Sequence, residues 1–248
     1  MLSVRLLFLT DRFIMSPKPV VQVRQLGLAA YDAVTDLQQE LFQRTIDQKI
    51  HNRRNPDTQV STENHLLFVE HPHVYTLGKS GDEKHLLINN ETLAKKEVSF
   101  YPTNRGGDIT YHGPGQLVGY PILDLDYFFT DIHKYLRLLE ECIIATLADF
   151  GILTTRSKGE TGVWLDPEGH NPRKICAMGI RTSRWVTMHG FALNVNTDLS
   201  YFGYIVPCGI RNKAVTSMQK ELGKAIDLKE VSNVFQKHFA HHFEADLR

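Results

Sequence analysis

The segment 132–150 constrains the fold most. Tyr135, Leu138, Leu139, Cys142, Ile143, Thr146, Leu147 and Phe150 recur at helical spacing and make one continuous face. Asp131 can cap its start, and Gly151 is the residue type that ends a helix at the C′ position. A second helix is read from Ala29 to about Arg44, with Tyr31, Val34, Leu37 and Leu41 at the same period. A third starts after Asp227 and runs through Val231, Val234, Phe235, Phe239 and Phe243, with Glu230 placed as a capping-box partner. Between these lie short apolar runs of strand character: 66–69 and 74–77 split by a turn at Pro72, 117–123, 162–165, 174–180 and 185–195. The polar stretch His51 to Glu63, with Pro56 inside it, reads as an exposed loop. Helices at both ends and in the middle, with strands between them, predict a single α/β (α+β) domain with a central sheet backed by helices. It covers residues 19–248, and residues 1–18 form an extension outside the fold.

Bulk properties exclude several classes. Lys+Arg and Asp+Glu both number 28, so the basic excess that nucleic-acid binding usually leaves is missing. No apolar stretch approaches the ~20 residues of a membrane span. The run Leu6-Leu7-Phe8-Leu9 stops at Asp11 and Arg12, too short for a secretory signal. Cys142, Cys176 and Cys208 form no CxxC pair and no disulfide framework. Neither the twelve histidines nor these cysteines show metal-ligand spacing, so no metal and no cofactor are expected. A reducing, cytoplasmic setting and a monomer are the simplest expectation.

Three segments could carry chemistry. The densest is Arg105-Gly106-Gly107-Asp108-Ile109-Thr110-Tyr111-His112-Gly113-Pro114-Gly115-Gln116. Its glycines allow a tight backbone and let a ligand lie against main-chain N–H groups. Gly-Pro-Gly is also an ordinary turn, and the segment fits neither GxxxxGK[ST] nor GxGxxG. Lys174-Ile175-Cys176-Ala177-Met178-Gly179-Ile180 is an apolar strand that opens on a lysine. If regular, its period-two alternation puts Lys174 and Cys176 on one face, which makes Cys176 a rival nucleophile. In Val206-Pro207-Cys208-Gly209-Ile210 a cysteine sits between proline and glycine, a turn where a thiol can face a pocket. Cys142, on its helix's apolar face, reads as an inert packing residue.

Together these segments resemble the lipoyl(octanoyl) transferases. The resemblance runs from Val23-Arg24-Gln25-Leu26-Gly27 through RGGDITYHGPGQLVGYPI at 105–122, GVWL at 162–165, KICAMGI at 174–180, HGFALNVN at 189–196 and PCGI at 207–210. It implies the fold of biotin and lipoate ligases. It also implies a cysteine-thioester enzyme that moves octanoyl, or lipoyl, from acyl carrier protein to a lysine of lipoate-dependent proteins. The acceptors implied are the lipoyl domains of 2-oxoacid dehydrogenases and the glycine cleavage H protein. By motif, Cys208 holds the acyl group and Lys174 activates it. Residues 105–112, Ala177-Met178-Gly179 and Gly190-Phe191-Ala192 line the acyl site.

The chemistry suits these residue types. A free thiol with pKa near 8.5 is only a few per cent thiolate at neutral pH, and a nearby ammonium raises that fraction. An acceptor amine with pKa near 10.4 is neutral in about one molecule in 2,500, equivalent to about 4.6 kcal/mol. A site that takes up its proton recovers part of that. Two alternatives remain at this level. One is an ATP-dependent ligase of the same fold, which needs a basic phosphate loop that Arg105-Gly106-Gly107 only partly imitates. The other is a non-catalytic acyl-binding module.

Overall fold

The computed structural model describes residues 17–206 and 214–248. In chain order the elements are β1 (Val20–Leu28), α1 (Tyr31–Arg54), β2 (Asn64–Glu70), β3 (Val74–Leu77), α2 (Asn90–Lys95), β4 (Ser99–Pro102), β5 (Ile109–His112) and β6 (Gln116–Ile122). There follow α3 (Ile132–Asp149), β7 (Val163–Leu165), β8 (Arg173–Ser183), β9 (Val186–Asn194), β10 (Ala214–Val215), α4 (Met218–Leu222), α5 (Leu228–His242) and β11 (Asp246–Leu247). The large sheet runs β10-β8-β9-β6-β2-β1-β11, with β7 paired on β8.

Two hydrophobic layers sandwich it. Along β2, Leu66 and Phe68 face a core completed by α3 and α5 through Leu139, Ile143, Phe235 and Phe239. Leu67 and Val69 alternate to the other face and meet Val34, Leu41, Phe42 and Ile46 of α1. A smaller sheet, β4-β3-β5, covers a third cluster that includes Tyr75, Leu93, Ile109 and Tyr111. The single domain with a helix-backed central sheet is therefore as expected. The helix at 132–150 is also where its sequence puts it. Asp131 accepts the Lys134 N–H at 3.0 Å, a cap worth about 1 kcal/mol, and Gly151 follows at φ +79°.

Two features differ from expectation. The 51–63 loop is shorter than its composition suggests, because α1 continues to Arg54. Thr45 and Ile46 still reach the core, and Gln43–Asp47 and Gln48–Asn52 side-chain bonds extend the helix along its exposed face. The helix stops just before Pro56, whose ring disfavours the helical region for Asn55. The runs at 66–69 and 74–77 are strands, but they belong to different sheets. The turn at Pro72 carries the chain from one sheet to the other.

Candidate active site

A cleft of about 390 Å³ opens where the segment joining β4 to β5 crosses the edge of the large sheet. It brings together Arg105, Gly106, Gly107, Asp108, Ile109, Thr110 and His112 from that segment and β5. From β8 and β9 come Lys174, Ala177, Met178, Gly179, Gly190, Phe191 and Ala192. Tyr111 is the exception. It is fully buried, with its ring stacked on Tyr201 at 5.0 Å and its hydroxyl 2.6 Å from His73 Nδ1, and it supports the small sheet from behind. Cys208 lies outside the described residues. Phe202 and Val215, on either side of its segment, both line the cleft.

The crossing segment lies directly on β8. The Gly106 N–H donates to Ile180 O at 2.8 Å. A Cβ at Gly179 would stand 2.7 Å from Gly106 O, so only glycine permits this approach. Arg105 is mostly buried. It donates from Nη2 to Thr76 O (2.6 Å) and Thr76 Oγ1 (2.9 Å) and from Nη1 to Gly106 O, clamping the segment to β3. Asp108 carries two duties: Oδ1 accepts the Ile109 N–H, and Oδ2 pairs with His85 Nδ1 at 2.6 Å. A Cβ at Gly190 would strike Gly119 O at 2.2 Å, so its smallness serves β6–β9 packing as well as the cleft.

Lys174 sits half-buried near the start of β8, with Nζ 4.6 Å above the Trp164 ring. Its main chain pairs with Val215 of β10, and its carbonyl accepts the Thr216 N–H at 2.9 Å. Gly162, at φ +113°, lies beside the stem. A Cβ there would be 2.5 Å from Cys176 O and 3.6 Å from Lys174 Cδ. That turn is held by Glu140, which is fully buried. Glu140 Oε1 accepts the Gly162 N–H at 2.9 Å, while Oε2 is paired with Arg137 (2.7 Å) and Arg156 (3.0 Å).

Cys176 does not share the face of Lys174. Val163 pairs with Cys176 but Trp164 with Lys174, so Ile175 is an extra residue on β8 and the alternation slips there. Ile175 and Cys176 both enter the core at zero exposure, whereas Lys174 and Ala177 line the cleft. Burial pushes the Cys176 thiol well above its ordinary range, only partly opposed by a hydrogen bond from the chain and the nearby Lys174 charge. A thiol so held is a poor nucleophile. Cys142 is buried in the same core.

Sequence reading alone did not single out the polar wall opposite β8. Gln116 Oε1 accepts from His112 Nδ1 (2.8 Å), and its amide N–H groups donate to Tyr111 O (3.1 Å) and Asn194 Oδ1 (2.9 Å). Asn194 in turn donates to Thr216 O at 3.0 Å, beside Lys174. His71 donates from Nδ1 to Ala29 O (2.8 Å) and accepts at Nε2 from Tyr120 OH (2.9 Å). His189 donates from Nε2 to Asn104 Oδ1 at 2.8 Å. Gln116, His189 and Asn194 do stand within the glycine-rich and HGFALNVN segments. Tyr31, His71 and Tyr120 arrive from distant elements, which no local spacing could reveal.

These histidines are held neutral. Burial lowers His112 to about 3, helped by the neighbouring His71 and Arg105 against the raising effect of the Gln116 bond. Burial takes His189 to about 3, with Arg105 and Arg181 adding to it, and His71 to about 4 against its Ala29 bond. The unfolded chain protonates each ring near the ordinary value of about 6.5. Unfolding therefore takes up protons below that pH, and stability is lost as pH falls from 6.5 toward the folded values. At about 1.4 kcal/mol per pH unit and ring, the three together make the slope about 4 kcal/mol per unit. The urea midpoint is expected to fall steeply between pH 6.5 and 5; a flat profile there contradicts neutral buried rings.

Among the described residues no helix is long and apolar enough to cross a membrane. The model of the lipoyl protein ligase A/B catalytic domain matches residues 34–240. An octanoyltransferase of Christiangramia forsetii is 62% identical over 92% of this chain and 97% of that protein. One of Flavobacterium johnsoniae is 60% identical over 92% and 98%. Among solved structures, the bipartite lipoate protein ligase of Thermoplasma acidophilum superposes with a TM-score of 0.66 over 93% of this chain and 86% of that one. At 15% identity it shares the fold. On the strength of the matched domain and relatives alike over nearly their whole length, the chain belongs to the lipoyl(octanoyl) transferase family.

Proposed function

We propose that this acyltransferase moves an octanoyl, or lipoyl, group from the thioester of acyl carrier protein to a lysine of lipoyl domains. The acceptors are those of 2-oxoacid dehydrogenases and the glycine cleavage H protein, and the group passes through a thioester on Cys208. The observation that carries the reading is the placement of Lys174. It stands at the end of a cleft that also takes lining from both flanks of the Cys208 segment. The octanoyltransferase relatives at about 60% identity supply the acyl group.

In the first half, the Cys208 thiolate attacks the donor carbonyl, and the carbon–sulfur bond to the carrier breaks. The carrier leaves as a thiolate that takes the proton of the Lys174 ammonium, which leaves Lys174 neutral for the second half. In the second half, the neutral acceptor amine attacks the Cys208 thioester. An amide forms, the Cys208 thiolate is restored, and the proton shed by nitrogen passes to Lys174 or to the thiolate–ammonium pair acting as a unit. Lys174 favours the thiolate by its charge and lines the cleft while half-buried. Arg105 and the glycines of 105–112 with Ala177–Gly179 and Gly190–Ala192 shape the slot for the chain. Since the donor is already activated, no nucleotide enters either step.

The test is energy source. Octanoyl carrier protein alone should acylate a lipoyl domain without ATP or magnesium. Strict dependence on ATP with free octanoate, and no reaction with the carrier thioester, moves the protein to the ligase class.

A further inference from the structure

Gln116 opens β6 and Asn194 closes β9, and the two stand directly opposite each other in the antiparallel ladder. Both line the cleft, and both are buried, at 1% and 4% exposure. A primary amide offers two N–H groups and one carbonyl oxygen, and burial makes each costly to leave unpaired. Gln116 uses all three. Its Nε2 donates to Tyr111 O and to Asn194 Oδ1, and its Oε1 accepts from His112.

Asn194 does not. Its Oδ1 takes the Gln116 N–H and its Nδ2 donates to Thr216 O at 3.0 Å. The second Nδ2 hydrogen has no partner among the described residues. The amide cannot be reversed, because Tyr111 O and Thr216 O are main-chain acceptors and a nitrogen must face each of them. The spare N–H is therefore a fixed donor of a cleft-lining residue. It belongs to the Lys174 end. Thr216, which accepts from Asn194, donates its own N–H to Lys174 O at 2.9 Å. Leu193 pairs with Cys176, so Asn194 lies one step further along β9 toward Lys174.

We infer that Asn194 Nδ2 is a donor of the oxyanion hole and hydrogen-bonds the acyl oxygen as it becomes negative. The inference rests on the proposed function, in which the reacting carbonyl lies near Lys174. When the Cys208 thiolate bonds to the donor carbonyl carbon, the C=O π pair moves onto oxygen. The Asn194 N–H stabilises that charge without giving up its proton, and the pair returns as the carrier's carbon–sulfur bond breaks. The same oxygen becomes negative again when the acceptor amine attacks the Cys208 thioester. A donor already held by Gln116 and Thr216 needs no reorientation at either moment.

Asn194→Asp is the sharpest test. Burial favours the protonated carboxyl, which can donate to Thr216 O and accept from Gln116, so only the spare N–H is lost. Single-turnover acylation by octanoyl carrier protein should slow by about 100-fold or more, the usual effect of removing one such donor. Alkylation of Cys208 by iodoacetamide develops no oxyanion, so its rate and pH titration should stay as in the wild type. The octanoyl-enzyme, once formed, should show its infrared carbonyl stretch at higher wavenumber than in the wild type. Asn194→Ala removes the same N–H independently and should show the same split between acylation and alkylation if the aspartate variant melts early. Acylation at the wild-type rate in a folded variant overturns the assignment and leaves the transferase reading intact. So does a loss of alkylation equal to the loss of acylation, which makes Asn194 a structural residue only. A wild-type protein that gains no octanoyl group overturns the function proposed above, and the assignment with it.

Discussion

Lys174→Met is expected to slow octanoyl transfer by about 100-fold or more, the range that a positioned acid–base group contributes. Methionine keeps the stem that packs between Gly162 and the Trp164 ring, so the fold around it should hold. What disappears is the cation at the end of the cleft. The alkylation rate of Cys208 should then titrate at higher pH than in the wild type, where the proposal puts it below the free-thiol value of about 8.5. Lys174→Arg separates the two roles. It keeps a charge near the thiol, but guanidinium does not give up its proton in proteins. It should hold the lowered thiol titration and still fail at the step that collects the amine's proton. An unchanged titration and rate in Lys174→Met would return Lys174 to a packing role. Glu140, which accepts the Gly162 N–H beside the Lys174 stem, is not among the residues that line the cleft.

Several parts of this architecture are legible in the sequence. Residues 132–150 carried a start signal, a stop signal and an unbroken face, and each level agreed with the next. β6 and β9 were legible as apolar runs because they are buried on both faces. β1 was not, since most of its side chains are exposed or half-buried and its sequence alternates weakly. The second half of α1 was hidden for the converse reason. Past Ile46 its side chains are polar apart from Ile50, and polar side chains bonded along one helix look like a loop in sequence.

The site divides along similar lines. Fourteen of its residues come from three continuous segments, and none of these needed long-range information to be suspected. The slip at Ile175 is different. A one-residue bulge changes which face every later side chain of β8 occupies, and nothing in Lys174-Ile175-Cys176 announces it. It is the bulge that sends Cys176 into the core and so weakens its case as a nucleophile. His112 was expected at the site, but its neutral state was not legible, because His71 meets it only after two sheets are folded against α1.

The central claim is a covalent acyl-enzyme on Cys208, and intact-mass analysis after mixing with octanoyl carrier protein tests it most directly. The wild-type protein should gain a single octanoyl group that hydroxylamine removes. Cys176→Ala and Cys142→Ala should gain it as well, since both thiols are buried in the core. Cys208→Ala should gain nothing and lose essentially all transfer, an effect larger than that of any Lys174 variant. An adduct that persists in Cys208→Ala and disappears in Cys176→Ala would contradict the account.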